Sequence, residues 1–281
     1  MSFEIMLLVL LGAALHAAWN ASVKAANDKF LDAALVLTGG AALVPLFLFF
    51  LPMPATECWP YLAFSVVIHV IYFVLVAASY EHGDLSVVYP LMRGAAPAMT
   101  AILAVFLLKE IPNGFAWLGI LFVSCGIISL AFGASRGANR FWTRATSFAL
   151  LNAGVIVIYT LVDGTGARLS GNALAYTGWM FILTAIGVLI LLVRRNGFES
   201  LVYLYDNRFK ALAGGCCTFG SYSLALWAMT RAPIAHVATV RETSIVFGTI
   251  LAASVLKESV SRKRIIAIVA VTIGAVLIKI S

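Results

Sequence analysis

Long apolar segments recur along the whole chain, and they constrain its fold more than any other feature. A helix needs about 20 apolar residues to cross the hydrocarbon core of a bilayer. The pattern therefore predicts an all-α polytopic membrane protein with ten transmembrane helices. The predicted segments are 2–23, 31–51, 60–81, 85–108, 114–133, 143–163, 171–193, 209–230, 234–256 and 264–280.

The composition excludes a soluble fold. Of the 281 residues, 62% are hydrophobic and only 11% are charged, whereas a soluble globule needs more charge at its surface. The first segment lacks a basic start and a small-residue cleavage site, so we interpret it as a retained helix. The intervals between the segments are too short for a soluble domain, and we expect one membrane domain.

Neither the cysteines nor the net charge of +7 indicates a metal site or nucleic-acid binding. Cys58, Cys125, Cys216 and Cys217 have no partner at metal-ligand spacing, and we interpret them as small buried residues. We expect no metal and no other cofactor. The basic residues fall in short gaps between apolar segments, which is typical of topology signals and unlike a nucleic-acid-binding patch.

Lys and Arg are unequally divided between the loops on the two sides of the membrane. Cytoplasmic loops carry an excess of these residues, so the loops after odd-numbered segments are predicted to be cytoplasmic and both termini to lie outside, in a bacterial inner membrane. The odd-numbered loops hold Lys24, Lys29, Arg136, Arg140, Arg144, Arg194, Arg195, Arg208, Lys210, Lys257, Arg262, Lys263 and Arg264, and the opposite loops hold Lys109, Arg168, Arg231 and Lys279.

The chain also contains an internal repeat: residues 93–126 align without a gap on residues 241–274. Membrane helices are built from few residue types, which explains the repeated Leu, Ala, Ile and Val residues. This does not explain the repeated Arg, Lys, Glu and Gly residues. We predict two five-helix halves, 1–136 and 137–281. Because each half has an odd number of helices, the second half enters the membrane in the opposite orientation. Inverted repeats are typical of secondary transporters. The informative identities are Arg93/Arg241, Lys109/Lys257, Glu110/Glu258 and Gly126/Gly274.

Several of these motifs resemble those of a known family. The sequence Leu107-Leu108-Lys109-Glu110, followed by Gly119 and Gly126, resembles the pattern that closes each half of EamA-type ten-helix proteins in the drug/metabolite transporter superfamily. It recurs as Val255-Leu256-Lys257-Glu258 with Gly274, although Ala267 replaces the first glycine. The sequence Leu15-His16-Ala17-Ala18-Trp19-Asn20 with Lys24 is similar to a common opening of such chains. The resemblance implies a central cavity lined mainly by helices 1, 3, 4, 6, 8 and 9.

Three charged residues at membrane depth are candidates for the site. Arg93 and Arg241 occupy matched depths, and a charge there costs roughly 2.5–3.5 kcal/mol on insertion scales. Their guanidinium groups suit a carboxylate or phosphate, or else form a structural ion pair, with Arg241 beside Glu242 or another buried acid. Glu242 aligns with Gly94 in the first half, and it could bind an ammonium group, take a proton or neutralise Arg241. Together the three favour a zwitterionic ligand.

Helix 1 carries a polar face formed by His16, Trp19 and Asn20. These residues either line a cavity, where His16 could exchange protons, or hydrogen-bond between helices. In helix 6, Tyr159 and Asp163 repeat the spacing of four. We interpret Asp163 chiefly as a solvated acid at a helix end, with proton coupling as the alternative.

Aromatic residues and lone histidines complete the candidates. Tyr72, Tyr89 and Trp227 lie on helices that the resemblance places at the cavity, as ligand contacts or as packing residues. We interpret His69 and His236 as hydrogen-bonded structural groups. The repeated pairs at the ends of helices 4 and 9 are either gates or interfacial anchors: Lys109 and Glu110, Lys257 and Glu258.

We therefore predict a secondary transporter that moves a small polar metabolite, carboxylated or zwitterionic and amino-acid-like, by alternating access, with export favoured. Its partners would be the substrate, the lipid bilayer, and protons or a counter-substrate; a homodimer is left open. An exporter of organic cations or drug-like compounds is one alternative, and a non-transporting receptor or channel is another. An enzyme is not expected, because the chain has no H-E-x-x-H and no aspartate pair at membrane depth.

Overall fold

Helices account for the regular structure in the part of the chain that the computed structural model describes, which is residues 1–24, 26, 28–82, 85–134, 144–254, 257 and 260–281. A short 3-10 turn, Thr56–Cys58, precedes the fourth α-helix. The helices are α1 (Phe3–Lys24), α2 (Lys29–Leu43), α3 (Pro45–Leu48), α4 (Trp59–His82), α5 (Leu85–Leu108), α6 (Gly114–Ala134), α7 (Arg144–Leu169), α8 (Ala173–Asn196), α9 (Glu199–Asp206), α10 (Arg208–Met229), α11 (Ile234–Arg241), α12 (Ser244–Ser254) and α13 (Arg262–Ile280).

Helical structure is found in each of the ten predicted segments, and the all-α polytopic membrane fold is confirmed. In the described part of the chain, eight helical spans are long and apolar enough to cross a bilayer. The other two predicted segments fall on α10 and α13, which are 22 and 19 residues long. These two helices are more polar, because α10 carries Ser221 and Ser223 in its interior and α13 begins with Arg262-Lys263-Arg264.

The ninth predicted segment is broken at its centre. Helix α11 ends at Arg241 and α12 begins at Ser244. Between them the amides of Glu242 and Thr243 donate to carbonyls three residues back, at 3.1 and 3.0 Å, which forms a tight turn. The counterpart helix α5 is continuous although it contains Pro90 and Pro97. The break therefore gives Arg241 and Glu242 a backbone setting that Arg93 and Gly94 do not share.

The two halves interlock. Helix α1 of the first half packs against α10, α11 and α12 of the second half, and α7 of the second half packs against α4 and α5 of the first. When each helix is replaced by its counterpart in the repeat, the contacts of α1 become the contacts of α7, as an inverted two-fold requires. The predicted boundary between residues 136 and 137 lies outside the described residues.

The last helices of the two halves, α6 and α13, approach most closely at glycines. A Cβ atom on Gly119 would lie 2.7 Å from the carbonyl oxygen of Gly274, and one on Gly274 would lie 2.6 Å from that of Gly119. A Cβ atom on Gly126 would lie 3.3 Å from the carbonyl oxygen of Ala267. Since the repeat aligns Gly119 with Ala267 and Gly126 with Gly274, the two contacts are related by the pseudo-two-fold.

The membrane protein has two distinct faces. The side-chain amide of Asn113, in the loop after α5, donates to the carbonyl of Ser281 at 3.1 Å, so this loop lies beside the C terminus. We call this side the terminal face; α1 begins there, as do α4, α8 and α11. The opposite side, which carries the Lys- and Arg-rich loops, is called the basic face.

A polar network fastens the short helix α9 at the basic face. Asp32 of α2 is fully buried and accepts hydrogen bonds from the Tyr203 hydroxyl at 2.8 Å and the Lys210 ammonium at 2.6 Å. Burial, followed by the hydrogen bond to Asp32, raises the pKa of Tyr203 to about 12. The network therefore joins α9 and the start of α10 to α2.

Candidate functional site

A cavity extends into the helical bundle from the basic face. Lys29, the first residue of α2, lies at its mouth. Met180 and Tyr222 lie about two thirds of the way along their helices when counted from the basic face. Helices α1, α4, α5, α7, α10 and α11 contribute to the lining, as the family resemblance implied, and α2 and α8 contribute as well. The terminal half of the bundle contributes no deeper lining residue among those described, so the described part of the cavity extends toward the basic face.

Eight of the ten predicted substrate-binding residues line this cavity: His16, Trp19, Asn20, Tyr72, Tyr89, Arg93, Tyr159 and Arg241. Two do not. Glu242 lies behind Arg93, and Trp227 lies two residues before the end of α10, where its ring packs against the guanidinium of Arg231 at 4.9 Å. Trp227 is therefore better explained by packing near the terminal face.

Arg93 and Glu242 form a buried ion pair between the two halves. The Arg93 Nε atom donates to Glu242 Oε2 at 3.0 Å, and Nη2 lies 2.8 Å from Oε1. Both side chains are less than one tenth exposed. The structural alternative from the sequence, with Glu242 neutralising Arg241, was wrong, because the acid pairs with the arginine of the opposite half. A bidentate pair of this kind satisfies both charges and fixes their geometry.

Arg241 has a different environment. Its guanidinium lies over the Tyr222 ring, 5.2 Å from the centroid, in a cation–π contact. Among the described residues no carboxylate lies within 4.0 Å of it. Arg241 is buried yet lines the cavity. Its guanidinium edge is consequently available to an anionic group that enters from the basic face.

Asp163 lies behind Tyr222 and is fully buried. It accepts a hydrogen bond from Tyr222 at 2.5 Å and one from Tyr176 at 3.1 Å. The sequence interpretation of a solvated acid at a helix end was wrong. The predicted sixth segment ended at residue 163, whereas α7 continues to Leu169, which moves Asp163 into the helix and under the neighbouring helices.

His69 joins the cavity to this buried acid. Its Nε2 lies 3.8 Å from Asp163 Oδ2, and its Nδ1 lies 3.0 Å from the Ser65 carbonyl oxygen. The ring also packs against Tyr159, with centroids 4.6 Å apart. The interpretation of His69 as a purely structural group did not anticipate that its ring lines the cavity.

Two further residues of the site, Tyr176 and Tyr222, were missed. For Tyr222 a sequence signal existed, because Thr218, Ser221 and Tyr222 place three polar groups on one face of an otherwise apolar helix. Tyr176 stands alone, and no spacing marked it. His236 was interpreted as a hydrogen-bonded group, but neither ring nitrogen has a hydrogen-bond partner among the described residues.

The polar face of helix 1 is present at the cavity wall. The Asn20 amide donates to the carbonyl of His16 at 2.8 Å, and the rings of His16 and Trp19 pack edge to face with centroids 5.1 Å apart. The Trp19 Nε1 atom is buried without a hydrogen-bond partner among the described residues. It is a donor that a ligand in the cavity could satisfy.

Glu110 lies at the terminal face and joins both halves. Its carboxylate lies 2.6 Å from Arg168 Nη1 and accepts from the amide of Ile234, at the start of α11, at 2.8 Å. Arg168 also donates to the carbonyls of Met229 and Ala232 at 2.7 and 2.9 Å. We call this group of contacts the terminal latch, because it ties the ends of α5, α7, α10 and α11 together where the cavity does not reach.

The neighbouring lysines of the repeat are matched in backbone conformation. Lys109 and Lys257 have φ angles of 58° and 52°, and both side chains are exposed. A left-handed residue is a common way to end a helix, so these lysines act at helix ends in both halves. Glu258, the fourth candidate for a gate or anchor, lies outside the described residues.

Two interlocked, inverted halves around a central cavity are typical of secondary transporters. The chain belongs to the EamA-like transporter family, which matches residues 4–132 and 143–280. The predicted membership in the drug/metabolite transporter superfamily is confirmed. The protein is accordingly a multi-pass membrane transporter and is not an enzyme.

Solved structures share this fold. One, described as "Crystal structure of protein", matches with a TM-score of 0.73 at 16% sequence identity, over 98% of this chain and 96% of that chain. At that identity the likeness concerns the fold alone. A search of curated proteins finds no match to this sequence.

Proposed function

We propose that the protein transports a small carboxylated, amino-acid-like metabolite by alternating access, and that Arg241 binds its carboxylate. The observation that carries this proposal is the contrast between the two buried arginines. Arg93 is paired with Glu242, whereas Arg241 lines the cavity with only the Tyr222 ring against it. A guanidinium with free N–H donors in a desolvated site is suited to a carboxylate.

The charge of the cavity wall supports an anionic or zwitterionic substrate over an organic cation. Among the described lining residues there is no Asp or Glu, while Lys29, Arg93 and Arg241 are present. The ammonium end of an amino acid would meet the faces of Tyr72 and Tyr159, which can accept a cation. Glu242, paired behind Arg93, then serves as that arginine's counter-ion and does not bind the ammonium group.

The open side of the cavity supports export. The basic face carries most of the Lys and Arg residues of the loops, and such loops are retained in the cytoplasm. With the basic face in the cytoplasm of a bacterial inner membrane and both termini outside, the cavity would load substrate from the cytoplasm. Release would require the terminal latch to open and the basic face to close.

The experiment is counterflow in liposomes that contain the purified protein, loaded with an unlabelled mixture of the common L-amino acids and given the same mixture labelled outside. Wild-type protein should accumulate label transiently. Arg241→Gln should lose most of this signal, and the matched variant Arg231→Gln, whose arginine stacks on Trp227 away from the cavity, should retain it.

Three outcomes would contradict the proposal. Full counterflow by Arg241→Gln would remove the carboxylate site from Arg241. Equal transport of organic cations and carboxylates by the wild-type protein would contradict the proposed class of carboxylated substrates. A protein that binds but never exchanges label would belong to the non-transporting alternative, a receptor.

A further inference from the structure

Asp163 is a buried acid that the proposed substrate site does not use. Its carboxylate is fully buried six residues before the end of α7, about 9 Å along the helix axis at 1.5 Å per residue. A charge at such a position is costly unless another charge or a proton neutralises it. The groups around the carboxylate therefore decide its state.

The helices packed against α7 bring few charges to Asp163. In the described part of the chain no Lys or Arg lies within 4.0 Å of its carboxylate, and the nearest group that can become cationic is His69, at 3.8 Å. The other titratable or charged groups on the nearby stretches of these elements include Cys58 before α4, Tyr72 on α4, Tyr89 and Arg93 on α5, Tyr176 on α8, Tyr222 on α10, and His236 and Arg241 on α11, with Tyr159 and Arg168 on α7 itself.

The hydrogen bonds of His69 determine which nitrogen faces the acid. Its Nδ1 lies 3.0 Å from the Ser65 carbonyl oxygen and 3.2 Å from the Ser65 hydroxyl. In the tautomer that donates to the carbonyl, which only accepts, Nδ1 carries the hydrogen. Nε2 then faces Asp163 Oδ2. If neither atom held a proton, the lone pair of Nε2 would face a carboxylate oxygen, and the two atoms would repel each other. A single proton between them removes the repulsion and leaves the pair neutral.

We infer that His69 and Asp163 form a proton-binding site that is linked through Tyr222 to the anion site at Arg241. A proton from the cavity forms an N–H bond at His69 Nε2. When Nε2 and Oδ2 approach from 3.8 Å to hydrogen-bonding distance, proton transfer breaks that bond and forms O–H at Asp163 Oδ2. Nothing is oxidised or reduced. His69 lines the cavity, which gives the proton its entry route.

Tyr222 connects the two sites directly. Its hydroxyl donates to Asp163 Oδ2 and its ring lies against the guanidinium of Arg241. A carboxylate bound at Arg241 offsets the positive charge that helps to compensate an unprotonated Asp163. Binding of the anion therefore favours binding of the proton, and by linkage the reverse holds equally. Proton and carboxylate should cross the membrane together, in the direction set by the sum of their two gradients, so export requires an outward substrate gradient that exceeds the inward proton gradient. This coupling rests on the proposed function, whereas the proton site itself does not.

The proton site is tested without any substrate, by infrared difference spectroscopy of the protein in nanodiscs during a pH titration. A C=O stretching band of a protonated buried carboxyl should appear as the pH falls. Labelling of aspartate side-chain carboxyls with ¹³C should shift the band in the wild-type protein, and Asp163→Asn should abolish it. Asp163→Glu should keep a band, and Glu57→Gln should leave it, because that acid is exposed at the terminal face.

Each result decides the proposal. A band that aspartate labelling does not shift, or that persists in Asp163→Asn, would overturn the proton site, and the labelling result stands even where Asp163→Asn fails to fold. The coupling is measured in liposomes that contain a trapped pH dye, with the mixture of common L-amino acids as the probe. Uptake should acidify the interior, and Tyr222→Phe should lower the proton-to-substrate ratio several-fold.

The failure of one proposal can be told from the failure of the other. Amino-acid uptake without acidification would overturn the coupling and leave the transport function intact. Absence of uptake together with an aspartate band in the infrared spectrum would overturn the proposed substrate, while the proton site would stand.

Discussion

Arg93 and Glu242 come from opposite halves of an inverted repeat and bind each other through a buried, bidentate contact. The repeat aligns Arg93 with Arg241 and Glu242 with Gly94, so the pair has no symmetric counterpart. The first-half arginine is neutralised and the second-half arginine is not. Two residues that look equivalent in the sequence thus have different environments, and among the described residues the asymmetry leaves only the second-half guanidinium without a carboxylate partner.

The Arg93–Glu242 pair should be costly to break from either side. Arg93→Gln and Glu242→Gln should each lower stability by about 3–5 kcal/mol, since each leaves one uncompensated buried charge. The double variant should recover a large part of the loss, because it buries no charge. Thermal unfolding of the detergent-solubilised protein measures all three. Additive losses in the double variant would show that the two side chains act independently.

Weakening the terminal latch should expose the terminal face. Glu110→Gln removes the ion pair with Arg168, so the protein should open toward this face more often. Cys58, buried within the 3-10 turn there, should react several-fold faster with a membrane-impermeant maleimide.

The labelling background must lack the other cysteines, because the structure leaves Cys125 and Cys216 exposed, contrary to the expectation that all four are buried. Glu4→Gln is the matched control, since Glu4 is an exposed acid at the start of α1 on the same face. Equal labelling of Cys58 in both variants would mean that Glu110 does not hold the face closed.

The α6–α13 contact should be intolerant of a methyl group. In Gly119→Ala the new Cβ would meet the Gly274 backbone at 2.7 Å, and relief of such overpacking costs about 1–3 kcal/mol. Gly154→Ala is the control, because a Cβ there meets nothing within 4 Å. Melting temperatures in detergent compare the two. A Gly119→Ala protein as stable as Gly154→Ala would show that the helices can separate without cost.

The Tyr203–Asp32 contact predicts a pH dependence at the basic face. The pKa of Tyr203 is raised from 10.0 to about 12, so its folded-state proton stabilises the protein fully below about pH 10. That contribution is lost as the pH rises from about 10 through about 12. The melting temperature of the wild type should fall over this window more than that of Tyr203→Phe. Parallel curves for the two proteins would rule out a contribution from Tyr203.

Much of the fold could be predicted from the sequence because membrane helices are encoded locally. Each predicted segment is a continuous apolar stretch, and each contains a helix. The eight cavity residues were also predictable, because a polar side chain at membrane depth almost always faces the interior of the helical bundle. The physical constraint in both cases acts on the segment itself.

The pairings within the site could not be predicted, because they depend on contacts between helices distant in the chain. Glu242 is adjacent to Arg241 in sequence, yet its partner comes from α5. Asp163 is followed by Gly164, which suggested a helix end, but in α7 glycine makes room for neighbours. A Cβ on Gly164 would meet Ile234 at 2.5 Å, and one on Gly166 would meet Tyr176 at 2.6 Å. The glycines mark close packing around a buried acid.

The crossing of α6 and α13 at Gly119 and Gly274 has an evolutionary consequence. The equivalent contact between Gly126 and Ala267 means that the last helix of each half packs against its own homologue across the pseudo-two-fold. A separate five-helix ancestor could have made this same contact with a second copy of itself, provided that it inserted into the membrane in both orientations. Gene fusion would then have joined two subunits that already formed an antiparallel dimer, and it would have freed Gly94 and Glu242 to diverge.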